Sequence, residues 1–157
     1  MRVIGIDPGG TTGTALFMSA NLKWFRNQLE GDHHRELWAI LEKVKPHVIV
    51  CESWLNLGKE AANVVAPQYV GIARLYAELS PSTKWVTQTP SEGKGFWNDQ
   101  KLKKVGLYMP GKRHANDATR HVLHYLVVSQ LIPEVYLRAL KAPRTSLALQ
   151  EPRSPEV

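Results

Sequence analysis

Short runs of hydrophobic residues alternate with polar and glycine- or proline-rich segments along the chain. The first third contains three such runs, at 2–7, 14–18 and 22–29, separated by segments of hairpin-turn length. Runs of this length are typical of strands, and 22–29 also alternates loosely between apolar and polar residues. The chain is therefore predicted to begin with a three-stranded antiparallel meander.

The pattern then changes to a helical spacing. A helix is predicted over 33–44, with Asp32 as its N-terminal cap, and a β-branched run at 47–51 predicts a fourth strand covered on both faces. Gly93 and Gly95 are expected to break a helix that starts at 90–92. The rest of the pattern predicts helices at 67–79, 99–107, 114–129 and 133–140, and a fifth strand at 84–88.

Three leading strands followed by strands that alternate with helices are typical of an α/β fold with a mixed sheet. The length of 157 residues favours one domain, which we place at 1–130, followed at 131–157 by a short helix and a loose tail. No apolar run approaches the roughly 20 residues of a membrane helix, so no membrane association is expected. The single Cys51 is interpreted as a buried apolar residue in a reducing, cytoplasmic setting.

The chain is basic. Twenty Lys and Arg against fourteen Asp and Glu give a formal net charge of +6. Such a balance favours a phosphate-rich partner such as nucleic acid, although a basic surface can also serve solubility alone.

Two acidic residues follow predicted buried strands directly. Asp7 ends the first strand before a Pro-Gly-Gly turn, and Glu52 ends the fourth after Val-Ile-Val-Cys. A carboxylate in such a position needs a partner, and a divalent cation is one. Asp7 can instead cap its own turn, and Glu52 can mark a strand end that is open to solvent. The segment Asp-Pro-Gly-Gly-Thr-Thr also resembles the phosphate turn of actin-like kinases, but those proteins need two such domains.

A third candidate segment opens the helix predicted at 114–129. His114 and Asp117 have the spacing i and i+3 and lie on one face of its first turn. An Asp in that turn gains from the helix dipole whatever the function, and His114 can be a capping or surface imidazole. Together with two acidic strand ends, the pair predicts half of a metal site.

Taken in order, these three segments resemble the RuvC-type Holliday-junction resolvases, which are nucleases of the RNase H-like, retroviral-integrase-like superfamily. The resemblance covers 1–130 and rests on Asp-Pro-Gly near the start, Glu after the fourth strand, and His-Ala-Asn-Asp-Ala before an apolar helix. It implies a central mixed five-stranded sheet with three leading antiparallel strands and with helices on both faces.

The resemblance also implies a chemistry. The four catalytic and metal-binding positions of the family correspond here to Asp7, Glu52, His114 and Asp117. They would hold two Mg²⁺ or Mn²⁺ ions per active site, with Asp7 shared between them and His114 either binding metal or handling a proton. Hydrolysis would leave 5′-phosphate and 3′-hydroxyl ends during DNA recombination and repair. A homodimer would nick the two symmetric strands of a four-way junction.

A DNA-binding surface is implied as well. Its basic residues would be Lys94, Lys101, Lys103, Lys104, Lys112 and Arg113. An aromatic three residues after the glutamate stacks on bases in many RuvC-type enzymes. Leu55 has that position here, and Trp54 either takes over the stacking or lies in the core. Phe96 and Trp97 are expected to form another aromatic patch on the DNA face, and 93–95 to be mobile until DNA binds.

Other functions share these ligands. Nucleases of the same fold can act on flaps, replication forks or RNA–DNA hybrids, and a non-catalytic DNA-binding member is disfavoured because all four positions are retained. No segment for docking a helicase partner is recognisable. The resolvase hypothesis requires Asp7, Glu52 and Asp117 to gather around one open pocket and not to be neutralised by lysine or arginine.

Overall fold

The computed structural model describes residues 1–53 and 65–141, and no helix among them is long and apolar enough to cross a membrane. Trp54, Leu55 and the tail from 142 lie outside the described residues. In chain order the elements are β1 (Arg2–Asp7), β2 (Thr11–Met18), β3 (Lys23–Glu30), α1 (His34–Val44), β4 (Val48–Glu52), α2 (Val65–Leu79), β5 (Lys84–Gln88), α3 (Pro90–Phe96), α4 (Asp99–Lys104), α5 (Arg113–Val128) and α6 (Glu134–Lys141).

The five strands form one mixed sheet in the order β3-β2-β1-β4-β5. β1 pairs antiparallel with β2, and β2 antiparallel with β3, so the predicted meander is confirmed. β4 lies parallel to β1 and to β5. Because β1 and β4 are parallel neighbours, with Ile6 opposite Cys51, their carboxyl ends lie at the same edge of the sheet.

Helices cover both faces of the sheet, as expected. Alternate residues of a strand point to opposite faces. Val3 and Val48 belong to the hydrophobic core beneath α5, and Ile4 and Ile49 to the core beneath α1 and α2. The continuous apolar runs of β1 and β4 are therefore explained by burial on two sides.

β2 begins at Thr11, earlier than the predicted start at residue 14. Its first residues pair with β3, where Thr11 lies opposite Glu30, and Gly13 pairs with Asp7 of β1. Thr12 is fully buried, and its hydroxyl donates to the Gly9 carbonyl oxygen at 3.1 Å. Buried threonines belong to the strand, but a count of apolar residues does not detect them.

The prediction that Gly93 and Gly95 break α3 early is wrong, because this helix continues to Phe96. Thr89 and Glu92 form a capping box that stabilises its first turn. Trp97 is fully buried and therefore cannot belong to the expected aromatic patch, whereas Phe96 is 47% exposed.

Two helix ends also differ from the prediction. His33, not Asp32, is the N-cap residue of α1. α4 ends at Lys104 because Gly106 adopts a left-handed conformation with φ of 71°, and the Leu107 amide then donates to the Leu102 carbonyl oxygen at 2.8 Å.

Helix α6 packs on the same core as the strands. Tyr136 of α6 is buried, and its hydroxyl accepts a hydrogen bond from the Trp24 indole nitrogen of β3 at 2.6 Å. The boundary at residue 130 stays a prediction.

Candidate active site

The candidate site lies at the edge of the sheet where β1 and β4 end. Asp7 is the last residue of β1 and Glu52 the last residue of β4. Asp7 is 5% exposed, and its neighbour across the sheet is the small Gly13. The two carboxylates therefore share one sheet edge, as their places in the sequence predict.

The N-terminus of α5 adds the other two predicted residues. This helix packs so closely on the sheet that a Cβ atom at Gly13 would lie 1.9 Å from the His114 carbonyl oxygen. Only glycine leaves room for that approach. The first turn of α5 therefore lies over the end of β1. It brings His114 and Asp117 to the sheet edge where β1 ends, beside Asp7.

His114 is fixed from two sides. Its Nδ1 atom lies 2.7 Å from Oδ2 of Asp7. Its backbone amide donates to the Gln28 side-chain oxygen of β3 at 3.0 Å, which satisfies one of the free amides of the helix start. Gln28 was not predicted as part of the site, because a polar residue in an edge strand gives no sequence signal of this contact.

The pKa of Asp7 reflects its burial and the acidic side chains near it. Burial, reinforced by the negative charges of Glu52 and Asp117, raises the pKa of Asp7 to about 6, although the hydrogen bond with His114 acts in the opposite direction. Glu52 and Asp117 are therefore both close enough to repel Asp7, and a cation placed among the three carboxylates would relieve that repulsion.

Lys94 of α3 supplies positive charge at this place. Its ammonium lies 3.2 Å from Oδ2 of Asp117 and 3.6 Å from Oε2 of Glu52. Burial opposes the charged form, but Glu52 and Asp117 together raise the pKa of Lys94. The expected DNA-facing lysine thus points inward, and the condition that no lysine or arginine pairs with these carboxylates is not met.

Two further residues of α5 contact the site from inside the protein. Arg120 donates to Asp117 through Nη1 and to Asp99 through Nη2, and His121 Nε2 lies 2.7 Å from Oε2 of Glu52. Burial acts to raise the pKa of Glu52, but the His121 hydrogen bond and the Lys94 charge bring it below its ordinary value. Both residues were missed. The available signal was two polar residues on the buried side of an apolar helix, since such groups need partners.

The donor set fits a hard divalent cation in chemistry and charge, since Asp7, Glu52 and Asp117 offer carboxylate oxygens and His114 an imidazole. The present side-chain arrangement is not a formed metal centre. Within 1–53 and 65–141, no group of three or more His, Cys, Asp or Glu side chains is placed to hold an ion. Metal binding, and with it the function proposed below, would require Lys94 to leave Glu52 and Asp117, and would use Oδ2 of Asp117, because Arg120 is hydrogen-bonded to Oδ1.

A cleft of about 830 Å³ opens beside Asp117. Several uncharged residues line it, together with four cationic and two acidic ones. The charged residues are Lys94, Lys112, Arg113, Arg120, Asp99 and Asp117. Three predicted DNA-binding residues therefore meet at this cleft. Its net positive lining suits a phosphate backbone.

Lys101, Lys103 and Lys104, which are also predicted DNA contacts, do not line this cleft. Lys101 lies over the Phe96 ring, at 3.4 Å from its centroid, Lys103 lies over Tyr108, and Lys104 donates to the Leu140 carbonyl oxygen at 3.4 Å. Trp54 and Leu55 fall outside the described residues. A DNA role for these five residues stays a prediction.

Comparison with known proteins gives a clear result for structure alone. The sequence matches no protein-family model and no curated protein. Thermus thermophilus RuvC superposes with a TM-score of 0.65 at 16% identity, covering 83% of this chain and 96% of that one. The fowlpox virus Holliday junction resolvase gives 0.57 at 12% identity, covering 82% and 99%. The chain has the RuvC fold.

A third structure with this fold is the yeast mitochondrial Holliday junction resolvase, with a TM-score of 0.51 at 16% identity, covering 89% of this chain and 80% of that one. The predicted α/β, RNase H-like class is thereby confirmed. At these identities the RuvC fold does not carry an activity with it, so function depends on the chemistry of the site.

Proposed function

We propose that this protein is a metal-dependent endodeoxyribonuclease that resolves four-way DNA junctions. The observation that carries the proposal is the meeting of Asp7, Glu52, His114 and Asp117 at one sheet edge of a RuvC fold, beside a basic cleft. T. thermophilus RuvC with this fold is known in complex with a Holliday junction substrate. The proposed products carry 5′-phosphate and 3′-hydroxyl ends.

Asp7, Glu52 and Asp117, with His114, are the residues proposed to hold two Mg²⁺ or Mn²⁺ ions. Bound there, divalent ions supply activation of a water molecule and neutralisation of charge on the scissile phosphate. Asp7 has to lose its proton to serve as a ligand. His114 is in hydrogen-bond contact with Asp7 and is placed to take up or return that proton.

The carboxylates of the site and a DNA phosphate in the cleft would compete for Lys94. In the free protein its ammonium binds the carboxylates of Glu52 and Asp117, and it also lines the cleft proposed for DNA. Divalent ions on the carboxylates would repel the ammonium, whereas a phosphate in the cleft would attract it. We therefore expect metal and DNA to shift Lys94 in the same direction, out of the carboxylate cluster and towards the phosphate.

The active form is proposed to be a homodimer. α2 exposes an apolar stripe to solvent, with Leu75 49% and Leu79 66% exposed and the partly buried Ile72 beside them. An exposed apolar stripe on a single helix is the kind of surface that self-association buries. Two copies would present two sites to the symmetric strands of one junction.

The decisive experiment compares wild type with Asp7→Asn on a synthetic four-way junction, a flap, a fork, an RNA–DNA hybrid and a plain duplex, in Mg²⁺ or Mn²⁺. Wild type should make paired nicks in the junction. The variant should bind the junction equally well and cut it about a hundredfold more slowly or worse, because Lewis-acid assistance is worth several kcal/mol.

Glu42→Gln, which changes an exposed acid beside Arg2 at the opposite end of β1, is the control and should cut normally. Equal cutting of plain duplex would leave a nuclease but exclude a resolvase, and preferential cutting of flaps, forks or hybrids would favour another nuclease of this fold. Full activity of Asp7→Asn would exclude the proposed chemistry.

A further inference from the structure

His121 connects three elements beneath the candidate site. It is fully buried on α5, and its two ring nitrogens face two different strands. Nε2 lies 2.7 Å from Oε2 of Glu52 at the end of β4, and Nδ1 lies 2.8 Å from the Gln88 side-chain oxygen at the end of β5. Both ends of the ring are therefore in hydrogen-bond contact.

The chemistry of the partners gives the two contacts a direction. The Glu52 carboxylate can only accept, so Nε2 of His121 has to donate to it. Gln88 is 4% exposed, and its amide can present either the oxygen that now faces Nδ1 or, after a 180° rotation, its NH₂ group. With either orientation of the amide, Nε2 carries the hydrogen that is donated to Glu52.

Packing prevents the ring from turning away. α3 passes directly over it, and a Cβ atom at Gly93 would lie 2.9 Å from both Cε1 and Nδ1 of His121. The ring is thus enclosed between the sheet and α3. A buried polar ring costs free energy unless its hydrogen bonds are made, so the His121 ring is expected to keep its contacts with Glu52 and Gln88.

We propose that His121 is a positioning residue that holds the Glu52 carboxylate in its cation-binding orientation. The contacts with His121 and with Lys94 both use Oε2, which leaves Oε1 to face a cation. Without the His121 hydrogen bond, Oε2 loses one of these two contacts, and the carboxylate is free to reorient about its 3.6 Å contact with Lys94. The inference rests on the proposed function, because it presumes that Glu52 is a metal ligand.

The test uses two nearly isosteric variants. The amide nitrogen of Gln in His121→Gln falls near the place of Nε2 and can still donate to Glu52, whereas that of Asn in His121→Asn falls near Nδ1 and cannot. Mn²⁺ binding is measured on the full chain without DNA, by electron paramagnetic resonance titration. His121→Asn should bind Mn²⁺ about 10- to 100-fold more weakly, the usual effect of losing a group that orients a ligand. His121→Gln should stay within about threefold of wild type.

His124→Asn, one turn further along α5, is the matched control and should bind Mn²⁺ normally. Junction binding in EDTA should be the same for all variants, because the hydrogen bond acts on the carboxylate and not on the basic cleft. If His121→Asn does not fold, Gln88→Met replaces it, since this change removes the Nδ1 partner with little change in volume and should weaken Mn²⁺ binding severalfold.

The outcomes separate the two proposals. Equal Mn²⁺ binding by wild type and His121→Asn (or Gln88→Met in its place) overturns the inference, and so does an equal loss in the Asn and Gln variants, which would indicate packing alone. A wild type that neither binds Mn²⁺ nor cuts a junction overturns the proposed function itself.

Discussion

Asp7 carries an electrostatic cost in the metal-free protein. Its buried carboxylate faces Glu52 and Asp117, and its pKa rises from 3.8 to about 6. Below pH 4 the residue is protonated in both the folded and the unfolded protein. Between pH 4 and 6 the folded protein keeps a proton that the unfolded chain has lost, so stability falls as pH rises, and the loss is complete above pH 6.

Asp7→Asn should remove this loss. A shift of about two pKa units corresponds to at most about 3 kcal/mol. In EDTA the variant should therefore gain stability over wild type as pH rises from 4 to 7.5, and the difference should be near its minimum at pH 4. Urea unfolding at four pH values measures the effect. Glu36→Gln, on the exposed side of α1, is the control, and a pH-independent difference between Asp7→Asn and wild type would contradict the prediction.

The residues of the site differ in how far sequence alone predicts them. The sequence places Asp7 and Glu52 each at the end of a buried strand, and the structure adds that these two strands are parallel neighbours. The inward turn of Lys94 and the His121 contact could not be predicted, since both depend on where α3 packs over α5. Side-chain partners are set by tertiary packing, which a one-dimensional pattern does not contain.

At the scale of elements, α3 is the segment where local propensity and packing disagree. Two glycines in seven residues predict a break, yet the helix forms. Its capping box supports the start, and Gly93 fits against the His121 ring, where a larger residue has no space. Propensity is a weak prior that such tertiary contacts override.

Gly93→Ala and Gly95→Ala should therefore have opposite effects. The Cβ atom at Gly93 would collide with His121, and overpacking of this kind costs about 1–3 kcal/mol. Nothing lies within 4 Å of a Cβ atom at Gly95, so Ala there should stabilise the helix by about 0.5–1 kcal/mol. Thermal unfolding of both variants checks the prediction. Equal effects at the two positions would show that α3 does not pack on His121 as described.

At the scale of the whole molecule, the order of strands and helices was predictable because each element has a clear hydrophobic period. The mixed sheet and its two covered faces followed from that order. The close approach of α5 to the sheet did not follow. It depends on glycines of the strands, which a pattern of hydrophobic and polar positions does not single out.

Self-association through α2 is testable at this scale. Leu75→Lys combined with Leu79→Lys should convert a dimer into a monomer in sedimentation velocity at micromolar concentration, because charge on the stripe opposes its burial. Junction binding by the variant should weaken as well. Phe25→Lys is a matched control, since Phe25 is an equally exposed apolar residue on the edge strand β3. A monomeric wild type, or dissociation by the control, would contradict the proposed interface.

The inward-pointing Lys94 has a consequence for handling the protein. Zinc fingers lose their structure when a chelator strips them, because the ion is what holds their ligands together. Here an ammonium from the chain itself already lies between Glu52 and Asp117. We expect purification in EDTA to leave the architecture intact, so that trace contamination by divalent ions alters only the rate of DNA cutting and never the yield of folded material.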